Sequence, residues 1–326
     1  MTGIVKTGIT SWTEKSLIDA GWYPHGARNP AWRLRWYATQ FPIVENDSTY
    51  YALPDPGHAR LWVDRTPRGF TMNVKAFASL TEHYTNPVRL PKDLREHLPA
   101  RLRGRARIYP HDLGADLMAE IAMRFRESVE PLRASGRLGV VLFQYPVWFP
   151  RSPTNRAKLV RARQLVPDCR VAVEFRNATW MDERHAADTL ALLRANDLVY
   201  TCVDEPQGFP ASVPPVADAT SDVAVVRFHG RARGTWMKAV AAARERFAYL
   251  YREDELREWV PKIRRLADRA SEVHVLMNNC FGDYAVRNAR TMSALLASAG
   301  DRQSEPPSDT HAMPLPPSTG AGVAPF

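Results

Sequence analysis

Ionisable and carboxamide side chains recur at one kind of place in this chain, the C-terminal end of one hydrophobic run after another. Glu45 and Asp47, Lys75, Gln144, Glu174 and Arg176, Asp204, Arg227 and His229, and Asn278 and Asn279 each close such a run. Carboxylates can move protons or hold a divalent ion. A buried lysine can neutralise a developing anion or form a Schiff base, and histidine can shuttle protons near neutral pH. Such a set does chemistry only if the fold makes neighbours of residues far apart in the chain.

The runs themselves supply that fold. Ile4–Thr10, Ile43–Thr49, Phe70–Ala76, Leu138–Tyr145, Arg170–Phe175, Leu198–Val203, Val223–Phe228 and Glu272–Met277 read as eight strands, each followed by a helix-like stretch. This pattern predicts an α/β protein, a (β/α)8 TIM-type barrel, whose active site gathers at the C-terminal mouth of the strands. Helices are expected over Asn29–Gln40, Asp55–Arg65, Asp116–Leu132, Thr154–Leu165, Asp182–Ala195, Asp254–Ala270 and Tyr284–Ala297. A single barrel domain over residues 1–300 is expected, with one long insertion after strand 3 at about 81–115 and Arg101, Arg103, Arg105 and Arg107 inside it. Pro206, Gly208, Pro210, Pro214 and Pro215 predict an irregular sixth helix, and the Pro-rich stretch 301–326 reads as a disordered tail.

Strand parity sorts the polar ends, because residues two apart share a face. Val171, Val173 and Phe175 face the helices, which sends Glu174 and Arg176 to the barrel axis; Arg227 and His229, Asn73 and Lys75, and Glu45 and Asp47 follow the same rule. An ionised group buried without a partner costs several kcal/mol. These charges therefore either pair with one another, as Glu174–Arg176 or Asp47–Lys75, or await a ligand.

Composition narrows the function classes. The 326 residues are 45% hydrophobic, enough for a substantial core. No apolar run approaches the ~18 residues of a membrane span, so no membrane partner is expected. Met1 leads straight into the first strand, which points to a cytoplasmic protein, and Cys169, Cys202 and Cys280 are too scattered for a disulfide framework. The net charge of +9 keeps nucleic acid open as a partner. The stretch from Gly230 through Arg231, Arg233, Trp236 and Lys238 to Arg244, Arg246 and Arg252 interleaves cations with aromatics, a pattern that suits phosphate or bases.

The residues therefore receive provisional roles. Glu174, Lys75, His229 and Asp47 are the catalytic candidates; Tyr50, Gln144, Arg176, Asp204, Arg227, Asn278, Asn279 and Trp12 are the substrate-binding ones. Asp47, Glu174, Asp204 and His229 form a permissible donor set for a divalent metal, although no close-spaced ligand motif supports it. These residues also carry a likeness. Thr10–Trp12, Val44–Tyr51, Asn73–Ala76, Leu142–Pro146, Val173–Arg176, Val226–Gly230 and Met277–Asn279 resemble, in order, the motifs of the DUF72 (YecE-like) family. The resemblance runs from about Gly3 to Leu296 and implies a TIM barrel; it brings no reaction with it. Many relatives carry Asn where this chain has Asp47. The expectation is an enzyme, whether hydrolase, lyase or isomerase, for a small polar, phosphorylated or sugar-like substrate. A nucleic-acid-binding or repair-type enzyme and a non-catalytic small-molecule binder are the alternatives, with the oligomeric state open.

Overall fold

Eight parallel strands run in sequence order and close into a barrel, as the hydrophobic runs predict. They are β1 (Ile4–Thr10), β2 (Ile43–Asn46), β3 (Thr71–Lys75), β4 (Leu138–Gln144), β5 (Val171–Glu174), β6 (Leu198–Asp204), β7 (Val223–Phe228) and β8 (Glu272–Met277). The structure, a computed structural model, describes residues 2–25, 29–209, 211–236, 245 and 247–307. β8 pairs with β1 from Ile4↔Glu272 to Ile9↔Met277 and completes the ring.

Both faces of the strands are apolar because both are covered. Ile43, Leu142, Ala172, Val199, Val225 and Leu276 fill the interior, while Val173, Phe175, Val226, Phe228, Val273 and Met277 join the larger core outside the barrel. At the N-terminal end a polar plug closes the axis: Lys6 Nζ lies 2.8 Å from Glu272 and 2.9 Å from Thr71 Oγ1, and His274 Nε2 lies 3.1 Å from Glu272. The opposite end is the mouth.

Several element boundaries differ from expectation, each for a local reason. β2 stops at Asn46 rather than Thr49, because Asn46 Oδ1 accepts from the Ser48 amide (3.0 Å) and hydroxyl (2.6 Å) and turns the chain into the helical Ser48–Tyr51. Asp47 therefore leaves the strand in a helical conformation. The expected helix Asp254–Ala270 is two, Glu253–Arg257 and Val260–Ala267, with Pro261 in the first turn of the second. The helix expected from Asp182 starts only at Ala186, since the Asp182 carboxylate accepts from the Arg184 and His185 amides in a turn. Between β6 and β7 the described residues form no helix, as the prolines require; Pro210 lies outside the described residues.

The insertion has secondary structure and buried apolar residues of its own. Short helices Lys92–Glu96, Ala100–Arg103 and Pro110–Leu113 bury Leu94, Leu98, Leu102, Ile108 and Leu113. Arg103 caps its own neighbourhood, donating to Leu98 O (2.9 Å) and Glu96 O (2.8 Å), and Arg107 lies 4.6 Å over the Tyr84 ring. Beyond residue 300 the chain still pairs: the Val5 amide donates to Arg302 O and the Ser304 amide to Val5 O, both at 2.9 Å. The remainder of the predicted tail, 308–326, lies outside the described residues. No described helix is long and apolar enough to cross a membrane.

Candidate active site at the barrel mouth

Three strands deliver the core of the mouth. Glu174 ends β5, Arg227 is the penultimate residue of β7, and His229 and Asn278 follow β7 and β8 directly. Arg227 is nearly fully buried and holds two carboxylates at once, Glu174 through Nη1 and Glu45 through Nη2, each at 2.5 Å. Glu174 is further saturated: Gln144 Nε2 donates at 2.6 Å, His229 Nε2 lies 3.1 Å away and Arg176 Nη1 lies 3.5 Å away. Asn278 fixes the rest, accepting from Thr10 Oγ1 (2.7 Å) and facing His229 Nδ1 with its amide nitrogen at 2.8 Å. Since that amide can only donate, His229 Nδ1 accepts and Nε2–H donates to Glu174.

One positive charge cannot neutralise two buried carboxylates. Burial pushes Glu45 up to about 8, with Arg227 opposing. Burial would push Glu174 up as well, but Arg227, His229 and Arg176 outweigh it and hold that carboxyl well below the usual range. The split follows the donors: Glu174 has four and Glu45 has Arg227 alone, so Glu45 is the carboxyl that keeps its proton. Arg227 stays charged: burial would lower it, but the charge and hydrogen bond of Glu174, aided by Glu45 and Asp47, more than offset that. Burial pushes His229 down to about 4, which leaves the imidazole neutral at pH 7. Glu174 is thus a poor proton acceptor, and neither nitrogen of His229 is free. These residues form a rigid floor.

The other side of the mouth is unsaturated. Lys75, at the end of β3, has no ion-pair partner among the described residues, and its Nζ sits 4.6 Å over the Tyr50 ring. The expected Asp47–Lys75 pair does not form among them; instead Asp47 Oδ1 is buried without a hydrogen-bond partner. His83, inside the insertion and missed by the strand pattern, lies beside Tyr50 with ring centroids 5.2 Å apart. Burial and then the charge of Lys75 push His83 down to about 4, and Arg176 acts in the same sense. Arg176 bridges the two sides, with Glu205 Oε2 at 2.9 Å in an ion-pair contact whose angle falls short of a hydrogen bond, and with the Trp236 ring 4.6 Å away. Burial pushes Glu205 up to about 7.

Three expected contacts are scaffold instead. Asp204 shares the outward parity of Cys202, and its carboxylate is filled by Arg231 (2.9 and 2.7 Å), Tyr251 (2.7 Å) and Trp259 Nε1 (2.7 Å). Asn279 follows outward-facing Met277 and donates to Tyr249 O and Asn288 Oδ1, both at 2.8 Å. Trp12 is buried in the outer core, edge-on to Trp62. The candidate metal set fails for the same reason: Asp204 faces away, His229 is fully bonded, and no group of three or more His, Cys, Asp or Glu among the described residues can hold an ion. In the basic stretch after β7, Arg231 is consumed by Asp204 and Glu258, while Trp236 lies over His229; Met237, Lys238, Arg244 and Arg246 lie outside the described residues. Burial pushes the Cys202 and Cys280 thiols up to about 12 and Cys169 to about 11, as packing residues.

A family model described as "Protein of unknown function DUF72" matches residues 6–312. The chain belongs to the DUF72 family. The UPF0759 protein YunF of Bacillus subtilis (strain 168) is 32% identical over 297 residues, covering 90% of this chain and 95% of that one. Crystal structures of DUF72 family proteins from Thermotoga maritima MSB8 (TM-score 0.70, 28% identity) and Enterococcus faecalis V583 (TM-score 0.72, 25% identity) each cover 90% of this chain, and 99% and 96% of theirs. The DUF72 barrel is thus common to this chain and both crystal structures.

Proposed function

We propose that this DUF72 protein is an acid/base enzyme for a small polar substrate carrying an anionic group, a phosphate or carboxylate. One observation carries the reading: Lys75 and Asp47 keep an unanswered charge and an unpartnered buried oxygen beside a floor on which every other charge has a partner. Arg227 Nε in the floor also lacks a hydrogen-bond partner, but its guanidinium is neutralised by two ion pairs, whereas at Asp47 and Lys75 an open acceptor and an open ammonium stand together, the pair of groups that an anionic, protonatable ligand would complete. In this reading Lys75 and Arg176 hold the anion and Asp47 takes or gives the proton. Glu45, Glu174, Arg227, His229 and Asn278 keep the floor rigid and charged. Tyr50 and Gln144 line the approach.

The test is a screen of small phosphorylated and carboxylated compounds by calorimetry, with Lys75→Met and Asp47→Asn alongside the wild type. Binding of at least one class that Lys75→Met abolishes, and turnover that Asp47→Asn abolishes, is the expected result. Equal behaviour of all three proteins removes the assignment. Saturable binding without turnover would favour a binding protein, a reading supported by the closed bonding of His229. Nucleic acid draws less support, because Arg103 and Arg231 are spent on internal partners.

A further inference from the structure

Large aromatic side chains are exposed on the rim of the mouth, at the ends of a row of rings that includes Tyr50, the ring beneath Lys75. After β2 stands Tyr51, 62% exposed; after β4 stands Trp148, 54% exposed. Between them the rings form a row: Tyr51 to Tyr50 at 5.0 Å, Tyr50 to His83 at 5.2 Å, and His83 to Trp148 at 5.7 Å. Successive rings are nearly perpendicular, at 88°, 84° and 73°, so they touch by edges and do not stack face to face. Lys75 lies over Tyr50 within this row, and the exposed Tyr51 and Trp148 stand at its two ends, so an ammonium and accessible aromatic surface share one rim.

The polarity of the central histidine follows from its neighbour Thr81. The Thr81 hydroxyl lies 3.0 Å from Ala78 O and 2.9 Å from His83 Nδ1; with its one proton on the carbonyl, it accepts from Nδ1–H. Nε2 of His83 therefore carries a lone pair, and it has no hydrogen-bond partner among the described residues. The row thus offers flat apolar faces, one neutral acceptor and an adjacent ammonium.

We infer that the rim Tyr51–Tyr50–His83–Trp148 is a subsite for a planar aromatic or heteroaromatic ring whose attached anion sits on Lys75. The ring lies on the indole with an N–H or polarised C–H edge toward His83 Nε2. This rests on the proposed anion site and narrows its substrate class to ring-bearing anions, either nucleotides or simple aryl phosphates.

Calorimetry on the full chain with inorganic phosphate, ribose 5-phosphate, phenyl phosphate and AMP tests it, using wild type, Trp148→Ala, His83→Phe and Lys75→Met. At least one ring-bearing probe should bind about tenfold tighter than ribose 5-phosphate, the scale of one stacked ring. Trp148→Ala should erase that advantage while leaving phosphate and ribose 5-phosphate unchanged. His83→Phe, which keeps a ring and removes the acceptor, should weaken AMP more than phenyl phosphate if the ligand is a nucleotide, and neither selectively if it is a simple aryl anion. Lys75-dependent binding of all four probes with equal affinity would overturn the ring subsite and leave the anion site standing. No binding by any probe would overturn both. A concentration-dependent dimer that Trp148→Ala dissolves would also overturn it, assigning the rim to a second copy of the chain.

Discussion

On the β5, β7 and β8 side of the mouth, Glu174, Arg227, His229 and Asn278 bond one another until almost nothing is left over. On the β2, β3 and β4 side, Asp47, Lys75 and His83 keep an oxygen, an ammonium and a lone pair without hydrogen-bond or ion-pair partners among the described residues. Charge density alone does not separate the two sides, since both are rich in ionisable groups. Ion pairing does: on the first side each charge lies against an opposite one, although Arg227 Nε has no hydrogen-bond partner, and on the second Lys75 has no ion pair among the described residues. A buried carboxylate with four donors serves the fold first, whereas Asp47 and Lys75 leave groups open to a ligand.

That contrast can be broken by mutation. Arg227→Met leaves Glu45 and Glu174 buried without their cation and should lower unfolding free energy by about 3–5 kcal/mol, read by urea denaturation; a loss below about 1 kcal/mol would mean the floor is not held by charge. Asp204→Ala strips Arg231, Tyr251 and Trp259 of one shared acceptor and should cost about 1–3 kcal/mol while leaving anion binding intact. Loss of binding with unchanged stability would move Asp204 back to the site. Lys75→Met and Asp47→Asn should do the reverse, shifting stability within about 0.5 kcal/mol while abolishing ligand binding or turnover.

The smallest effect concerns pH. Glu45 is raised from 4.5 to about 8 on folding, so across that window the unfolded chain has released a proton that the folded chain keeps. Stability therefore falls as pH rises through it. His229 acts oppositely: lowered from 6.5 to about 4, it costs stability as pH falls through that range. Glu45→Gln should remove the decline in melting temperature between pH 4.5 and about 8 and, below pH 6.5, uncover the full loss due to His229. An unaltered decline over that window would place the retained proton elsewhere.

Most of the fold was legible because a barrel strand is a short apolar run between turn signals, and all eight such runs are strands. Parity likewise brought Glu174, Arg227 and His229 to one place. Asp204 and Asn279 also obey parity, on the outward face with Cys202 and Met277, so the signal that excluded them was present in their own strands. Two features were beyond it. The Asn46 turn removes Asp47 from β2 through a side-chain bond that periodicity does not register. His83 reaches the mouth from the insertion, where no strand assigns a direction, and its acceptor nitrogen depends on the hydroxyl of Thr81.

The pairing of residues 302–304 with Val5 has a practical consequence. β1 meets β2 only at Ile9 and Thr10, so lower on that seam the backbone groups of Val5 are answered by the C-terminal segment. A chain cut at residue 300 would bare an unpaired strand edge, a template for joining another molecule. Such a truncation should aggregate even though it removes none of the eight strands and nothing from the mouth.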